Sequence, residues 1–150
     1  MPAIQLRFVR HHDLPSFLIG TFQDGFWATH VETVMPDGHY LGARFRGGVL
    51  SRPSNYDKGK IAREEFVSVN CSQLELDAYY TFLNDQLNKP YDFTAILGMV
   101  THRDWQKPDR WFCSELEAAG FCACGKFPAH LAINFDRITP RDVRLMVSLL

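Results

Sequence analysis

The sequence predicts a single domain of the α+β class, and three observations support this prediction. A turn signal between two runs of β-branched and aromatic residues indicates a β-hairpin over residues 26–45. Helix-start signals at Ser72 and at Cys113 indicate two helices. The chain has 150 residues, 46% of them hydrophobic, and it contains no linker-like or repeated stretch. One domain spanning residues 1–150 is therefore expected.

The predicted hairpin turns at residues 35–38, which read Met-Pro-Asp-Gly. Because side chains alternate between the two faces of a strand, His30 and Glu32 in the first strand are expected to point the same way. A short β-branched run predicts a further strand over residues 65–69.

Helix signals follow in the second half of the chain. Ser72 and Glu75 have the spacing of a capping box, and residues 88–90 (Asn-Lys-Pro) are expected to end the helix that starts there. Its expected core-facing residues are Leu76, Tyr79, Tyr80, Leu83 and Leu87. A short buried helix is predicted over residues 93–100, and a closing helix over residues 139–150, where Thr-Pro-Arg-Asp supplies the start.

Charge and cysteine content exclude several function classes. A net charge of −1 does not supply the positive surface that non-specific binding to DNA or RNA requires. From Met1 to Ile19 no apolar run is long enough for a signal peptide or membrane span, which predicts a cytoplasmic protein without a membrane anchor. The four cysteines are unevenly spaced and are expected to be reduced. Cys122 and Cys124 lack a second cysteine pair, so neither a metal nor a cofactor is expected.

The start of the helix at Cys113 carries the clearest chemical signal. Two aromatic residues precede the cysteine, and Gly120 is expected to end the helix. Unpaired backbone N–H groups and the positive end of the helix dipole favour a thiolate there, lower the thiol pKa and can hold an oxyanion. A cysteine nucleophile also needs a base, and His30 on its strand is the candidate. The alternative is a buried structural cysteine with an unrelated strand histidine.

The other five histidines are expected in solvent. They lie in a polar N-terminal stretch, beside the hairpin turn or in loops, and they are His11, His12, His39, His102 and His130.

Four blocks of the sequence carry a resemblance to a known family. Thr-His-Val-Glu at 29–32 is like the family's histidine strand, and Trp-Phe-Cys-Ser-Glu-Leu at 111–116 is like its cysteine helix start. Pro-Tyr-Asp-Phe at 90–93 and Ile-Thr-Pro at 138–140 are lesser matches. With these blocks, the chain resembles the circularly permuted papain-like cysteine hydrolases related to the NlpC-type cell-wall peptidases. The histidine block precedes the cysteine block, as in the permuted branch.

The resemblance implies a permuted papain-like α+β fold, with the cysteine helix packed against an antiparallel sheet that carries the base. It implies Cys113 as the nucleophile, His30 as the base and Tyr91 as a contributor to the oxyanion site. Relatives often carry a third polar residue on the second hairpin strand, but the matching position here is Gly42. Glu32 is the candidate orienting residue, with a backbone carbonyl, a water molecule or His39 as alternatives.

The expected function is that of a cysteine peptidase or amidase that forms an acyl-enzyme with a peptide or acyl-containing substrate. Amide bonds of the cell-wall type are the leading substrate guess, by resemblance alone. A lipid acyl hydrolase or transferase is one alternative, and a non-catalytic binding or assembly module that has lost its orienting residue is another. The sequence does not indicate the oligomeric state. A phage-derived or released protein is the expected way for this chain to reach a cell wall.

Overall fold

The computed structural model of the chain describes residues 1–23, 25–93, 109–128 and 138–150. Apart from Phe93, the helix predicted over residues 93–100 lies outside the described residues, as do His102 and His130.

Five antiparallel strands form one sheet, and four described helices accompany it. The strands are β1 (Ala3–His11), β2 (His30–Val34), β3 (Tyr40–Arg44), β4 (Gly48–Arg52) and β5 (Ile61–Asn70), in the order β4-β3-β2-β1-β5. The helices are α1 (Leu14–Phe22), α2 (Gln73–Asp85), α3 (Cys113–Ala123) and α4 (Pro140–Val147). The α+β class is confirmed, and α3 packs against β2 and β3 as expected of the cysteine helix.

The predicted hairpin is present as β2 and β3. Its turn is closed by a hydrogen bond of 2.8 Å from the Met35 N–H to the His39 carbonyl, and Gly38 adopts φ 81°, a left-handed conformation that suits glycine. The first strand begins at His30, four residues later than expected. The strand predicted over residues 65–69 is longer and covers Ile61–Asn70.

One face of the sheet forms the hydrophobic core. Its fully buried strand residues include Ile4, Leu6, Phe8, Val31, Leu41, Ala43 and Val49. Burying one large side chain of this kind contributes roughly 1.5–3 kcal/mol, so this face accounts for much of the stability of the fold. The alternate residues of β1 and β2, Arg7 and Glu32, are paired in register and lie on the opposite face.

The N-terminal stretch differs from the expectation of a polar, solvent-exposed segment. It forms β1, and His11, expected in solvent, is only 4% exposed. Apolar residues at every second position, Ile4, Leu6 and Phe8, are interleaved with polar ones, which is the pattern of a strand with one core face.

The capping residues predict the helix starts correctly, whereas the glycine does not predict the end of α3. Both predicted capping signals, at Ser72 and at Thr139, are confirmed. The expected end of α3 at Gly120 is wrong, because the helix continues to Ala123. A Cβ atom on Gly120 would lie 2.7 Å from the ring of Tyr79 on α2, so the glycine allows close helix packing. The closing helix ends at Val147 rather than at Leu150. No helix in the described part of the chain is long and apolar enough to cross a membrane.

Candidate active site

Cys113 is the first residue of α3, as predicted. The chain before it is held by two backbone hydrogen bonds, from the Trp111 N–H to the Pro90 carbonyl and from the Asp92 N–H to the Trp111 carbonyl, at 3.1 and 2.9 Å. The Glu115 carboxylate accepts a hydrogen bond of 3.1 Å from the Phe112 N–H. These contacts fix the start of the helix and with it the position of the thiol.

The expected low pKa of Cys113 is wrong. The residue is only 1% exposed, and burial raises the pKa of its thiol to about 12. Hydrogen bonds from the backbone N–H groups of Val31 and Ser114 act in the opposite direction but do not outweigh burial. The thiol is therefore protonated at neutral pH in this conformation.

His30 is the first residue of β2, and it shares a strand face with Glu32 as the alternation predicted. The two side chains are also in contact, which the alternation alone did not predict. The Nε2 atom of His30 lies 3.2 Å from Oε2 of Glu32. Burial lowers the pKa of His30 to about 4, with Glu32 acting against the shift, so the imidazole is neutral at neutral pH. Burial favours a higher pKa for Glu32, but His30 and Arg7 outweigh it and lower the pKa to about 2.

Cys113 on α3 lies beside the start of β2, where His30 is, but the two side chains are on different faces of that strand. Val31 and Thr33 belong to the core face that α3 covers, whereas His30 points to the opposite face. The Val31 N–H, which donates to the Cys113 sulfur, belongs to the residue after His30. Among the described residues, no hydrogen bond joins Cys113 to His30.

A cavity lies at the start of β2, on the side of His30, and Cys113 is not part of its lining. Its volume is about 440 Å³, and its lining includes His30 and Tyr91. Burial raises the pKa of the Tyr91 hydroxyl well above its usual range, and the neighbouring Cys113 adds to the shift. The Tyr91 ring also packs against Phe112, with ring centres 5.8 Å apart. Tyr91 thus lines the cavity and neighbours the cysteine with its hydroxyl protonated, and its part in an oxyanion site stays a prediction.

Gly42 explains how Glu32 fits beside His30. The register of β2 and β3 places Gly42 opposite Glu32, and a Cβ atom on Gly42 would lie 2.8 Å from Cβ of Glu32. A side chain at position 42 would therefore displace the glutamate. His39 lies in the turn, 3.2 Å from Asp37, and does not provide the alternative orienting group.

A buried ionic network holds Glu32 in place, and the sequence pattern does not predict it. Arg7, 1% exposed, donates to Glu32 at 2.7 Å and to Asp57 at 2.9 Å. Tyr56 donates to Glu32 at 2.9 Å, and His11 contacts Asp57 at 2.7 Å. A lone arginine between Leu6 and Phe8 in the β1 alternation was the available signal for Arg7; nothing in the loop pattern pointed to Tyr56 or Asp57.

Another buried carboxyl lies one helical turn beyond the cysteine. Glu117 accepts hydrogen bonds from Thr33 at 2.6 Å and from Tyr79 at 2.5 Å. Burial raises its pKa to about 7, although the two hydroxyl groups act to lower it. In the unfolded chain the carboxyl ionises near pH 4.5, its ordinary value.

Replacing Glu117 with glutamine is expected to flatten the pH dependence of stability. A raised pKa in the folded state means that stability is lost as the pH rises from about 4.5 to about 7. The loss from this group amounts to roughly 2–3 kcal/mol, and it should be missing in Glu117→Gln. Urea unfolding at several pH values measures it. The control is Glu65→Gln at a partly exposed ion pair; equal pH profiles for wild type and Glu117→Gln would contradict the assignment.

All four cysteines are free thiols and form no disulfide bond. Within the described ranges, no three His, Cys, Asp or Glu side chains are grouped as a metal site would require. Comparison of the sequence with models of known protein families gives no match, and comparison with curated proteins gives none either.

Proposed function

We propose that this protein is a cysteine hydrolase in which Cys113 attacks an acyl group, His30 accepts the thiol proton and Glu32 orients the imidazole. The observation that carries the proposal is the contact between neutral His30 and the fully buried carboxylate of Glu32. His30 lines a cavity that is also lined by Tyr91, the neighbour of Cys113. The resemblance to the permuted papain-like hydrolases supports the same assignment. A peptide or cell-wall-type amide is the preferred substrate, and a lipid ester is the alternative.

The proposed reaction has two steps, formation of an acyl-enzyme and its hydrolysis. Because Nε2 of His30 contacts Glu32, Nδ1 is the nitrogen that accepts the Cys113 proton as the C–S bond forms. His30 then returns this proton to the leaving amine as the C–N bond breaks. Water, deprotonated by the same imidazole, hydrolyses the acyl-enzyme and restores the thiol. The Ser114 N–H and the Tyr91 hydroxyl are the candidate donors to the oxyanion.

The geometry sets one requirement for this reaction. The sulfur is buried and bonded to the Val31 N–H, while the imidazole lies on the other face of β2. The sulfur must therefore turn toward the cavity, past Tyr91, before it can transfer its proton to His30.

The burial of the Cys113 thiol favours a second candidate function, a binding or assembly module without catalysis. A thiol that is 1% exposed and has a pKa of about 12 is the ordinary state of a structural cysteine. In that case the His30–Glu32 pair would serve stability alone.

Acylation by an activated ester separates the two functions. Without activation, thiol reactivity follows exposure, and Cys122 is half-buried whereas Cys113 is buried. The hydrolase is expected to acylate at Cys113 before Cys122 when it is treated with p-nitrophenyl acetate, because the base compensates for burial. Peptide mapping by mass spectrometry identifies the acylated cysteine.

Cys122→Ala and Cys113→Ala provide the matched controls. The first should leave the acylation burst unchanged, and the second should abolish it. Acylation confined to Cys122, or a burst that survives in Cys113→Ala, would reject the hydrolase.

A further inference from the structure

The cavity beside His30 has a positively charged wall. Three of its lining residues are cations, Arg44, Arg46 and Lys60, and in this lining Asp13 is the acid. Asp13 already serves as the N-cap of α1, where its Oδ1 atom accepts a hydrogen bond of 2.9 Å from the Ser16 N–H. The wall therefore has more positive charge than its own residues neutralise.

The three cations differ in how they are held. Arg44 is fixed, because it donates to Tyr56, contacts Nε2 of His11 and lies 4.0 Å from Asp57. If Asp57 is counted as the counter-charge of Arg44, the exposed side chains of Arg46 and Lys60 remain as two positive charges of the wall. Neither forms an ion pair with any residue in the part of the chain that the structure describes.

An unused polar atom lies in the same wall. Thr29 is 1% exposed and lines the cavity, and its Oγ1 atom has no hydrogen-bond partner among the described residues. A buried hydroxyl without a partner is costly, and a bound oxygen acceptor would satisfy it. The wall of the cavity thus contains an unsatisfied hydroxyl beside its cationic groups.

We propose that this cavity binds an anionic group of the substrate, a carboxylate or a phosphate, through Arg46 and Lys60, beside the unsatisfied Thr29 hydroxyl in its wall. The inference rests on the proposed function for its biological meaning, since the cavity also includes His30. It narrows the substrate class to acyl compounds that carry a negative charge close to the scissile bond. Arg44 fixes one side of the cavity, and Arg46 and Lys60 supply the attraction.

Binding of three matched probes tests the proposal without requiring catalysis. They are N-acetylglutamic acid α-methylamide, its neutral glutamine counterpart and N-acetylphosphoserine methylamide. Titrated into the full chain and followed by NMR of the His11 and His30 rings, the charged probes should bind saturably and more tightly than the neutral probe. The better of the two charged probes identifies carboxylate or phosphate as the preferred group. Equal binding of the neutral probe, or no binding of any probe, would overturn the proposal.

Two variants localise the effect. Arg46→Gln combined with Lys60→Gln should weaken binding of the charged probes roughly fivefold to tenfold, as expected for two exposed charges, and leave the neutral probe unaffected. Lys58→Gln, an exposed residue of the same loop outside the cavity lining, is the control. Unchanged affinity in the double variant would reject the assigned residues. Cys113→Ala should bind the probes as the wild type does. A wild-type protein that binds the charged probes but is not acylated at Cys113 would count against the hydrolase and not against the anion site.

Discussion

Replacing Arg7 with methionine should lower the free energy of unfolding by about 3–5 kcal/mol, the cost of removing one partner from a buried ion pair. The arginine donates to Glu32 and Asp57, which are 0% and 3% exposed. Methionine fills much of the same volume but leaves two carboxylates buried without their cation. Chemical denaturation of both proteins at neutral pH measures the difference.

The double variant Arg7→Met, Glu32→Gln separates charge from packing. Because glutamine is neutral, the double variant should regain part of the lost stability. Arg144→Met is the control, since its ion pair with Glu65 is about one-third exposed and should contribute less than about 1 kcal/mol. A loss in Arg7→Met no larger than that of the control would show that the network does not stabilise the fold.

Replacing His30 with alanine is expected to slow acylation of Cys113 by about 10²–10⁴-fold, the usual contribution of a general base. Only the unprotonated imidazole can accept the thiol proton, so the wild-type rate should rise with pH through about 4, the pKa of His30. In His30→Ala the rate should rise only as the thiol ionises, toward its pKa of about 12. Quenched-flow acylation followed by mass spectrometry gives both profiles.

Two other histidines make the assignment specific. His39→Ala, in the exposed hairpin turn, should keep the wild-type profile. His11 also lines the cavity, and its ring centre lies 6.1 Å from that of His30. If His11→Ala removed the low-pH onset of acylation and His30→Ala did not, His11 would be the base and the assignment of His30 would be wrong.

The sequence predicts the local features of this fold well. The hairpin, the capping boxes at Ser72 and Thr139 and the helix start at Cys113 each depend on residues a few positions apart. Backbone hydrogen bonding and turn geometry decide such features locally. The shared strand face of His30 and Glu32 was predictable for the same reason, whereas their contact depends on the space that Gly42 leaves on the next strand.

Features that depend on distant contacts could not be predicted in the same way. The pKa of Cys113 depends on how deeply the packed sheet and helices bury the thiol, and the local helix-start signal gave the wrong direction. Gly120 looks like a helix end in sequence, but its role depends on Tyr79 in another helix. The approach of Tyr56 and Asp57 to Glu32 and Arg7 joins residues 24 and 50 positions apart, which no local pattern encodes.

Glycine at position 42 has a consequence for how this chain tolerates change. Because Gly42 leaves room for Glu32, the imidazole and its carboxylate can both lie on β2, and the length of the turn does not change their spacing as long as Gly42 stays opposite Glu32. A chain that placed these groups on two strands would lose their alignment when residues were inserted between the strands. Here the turn at residues 36–38 can be lengthened without separating the pair, which makes it a suitable position for grafting a peptide tag or an extra loop.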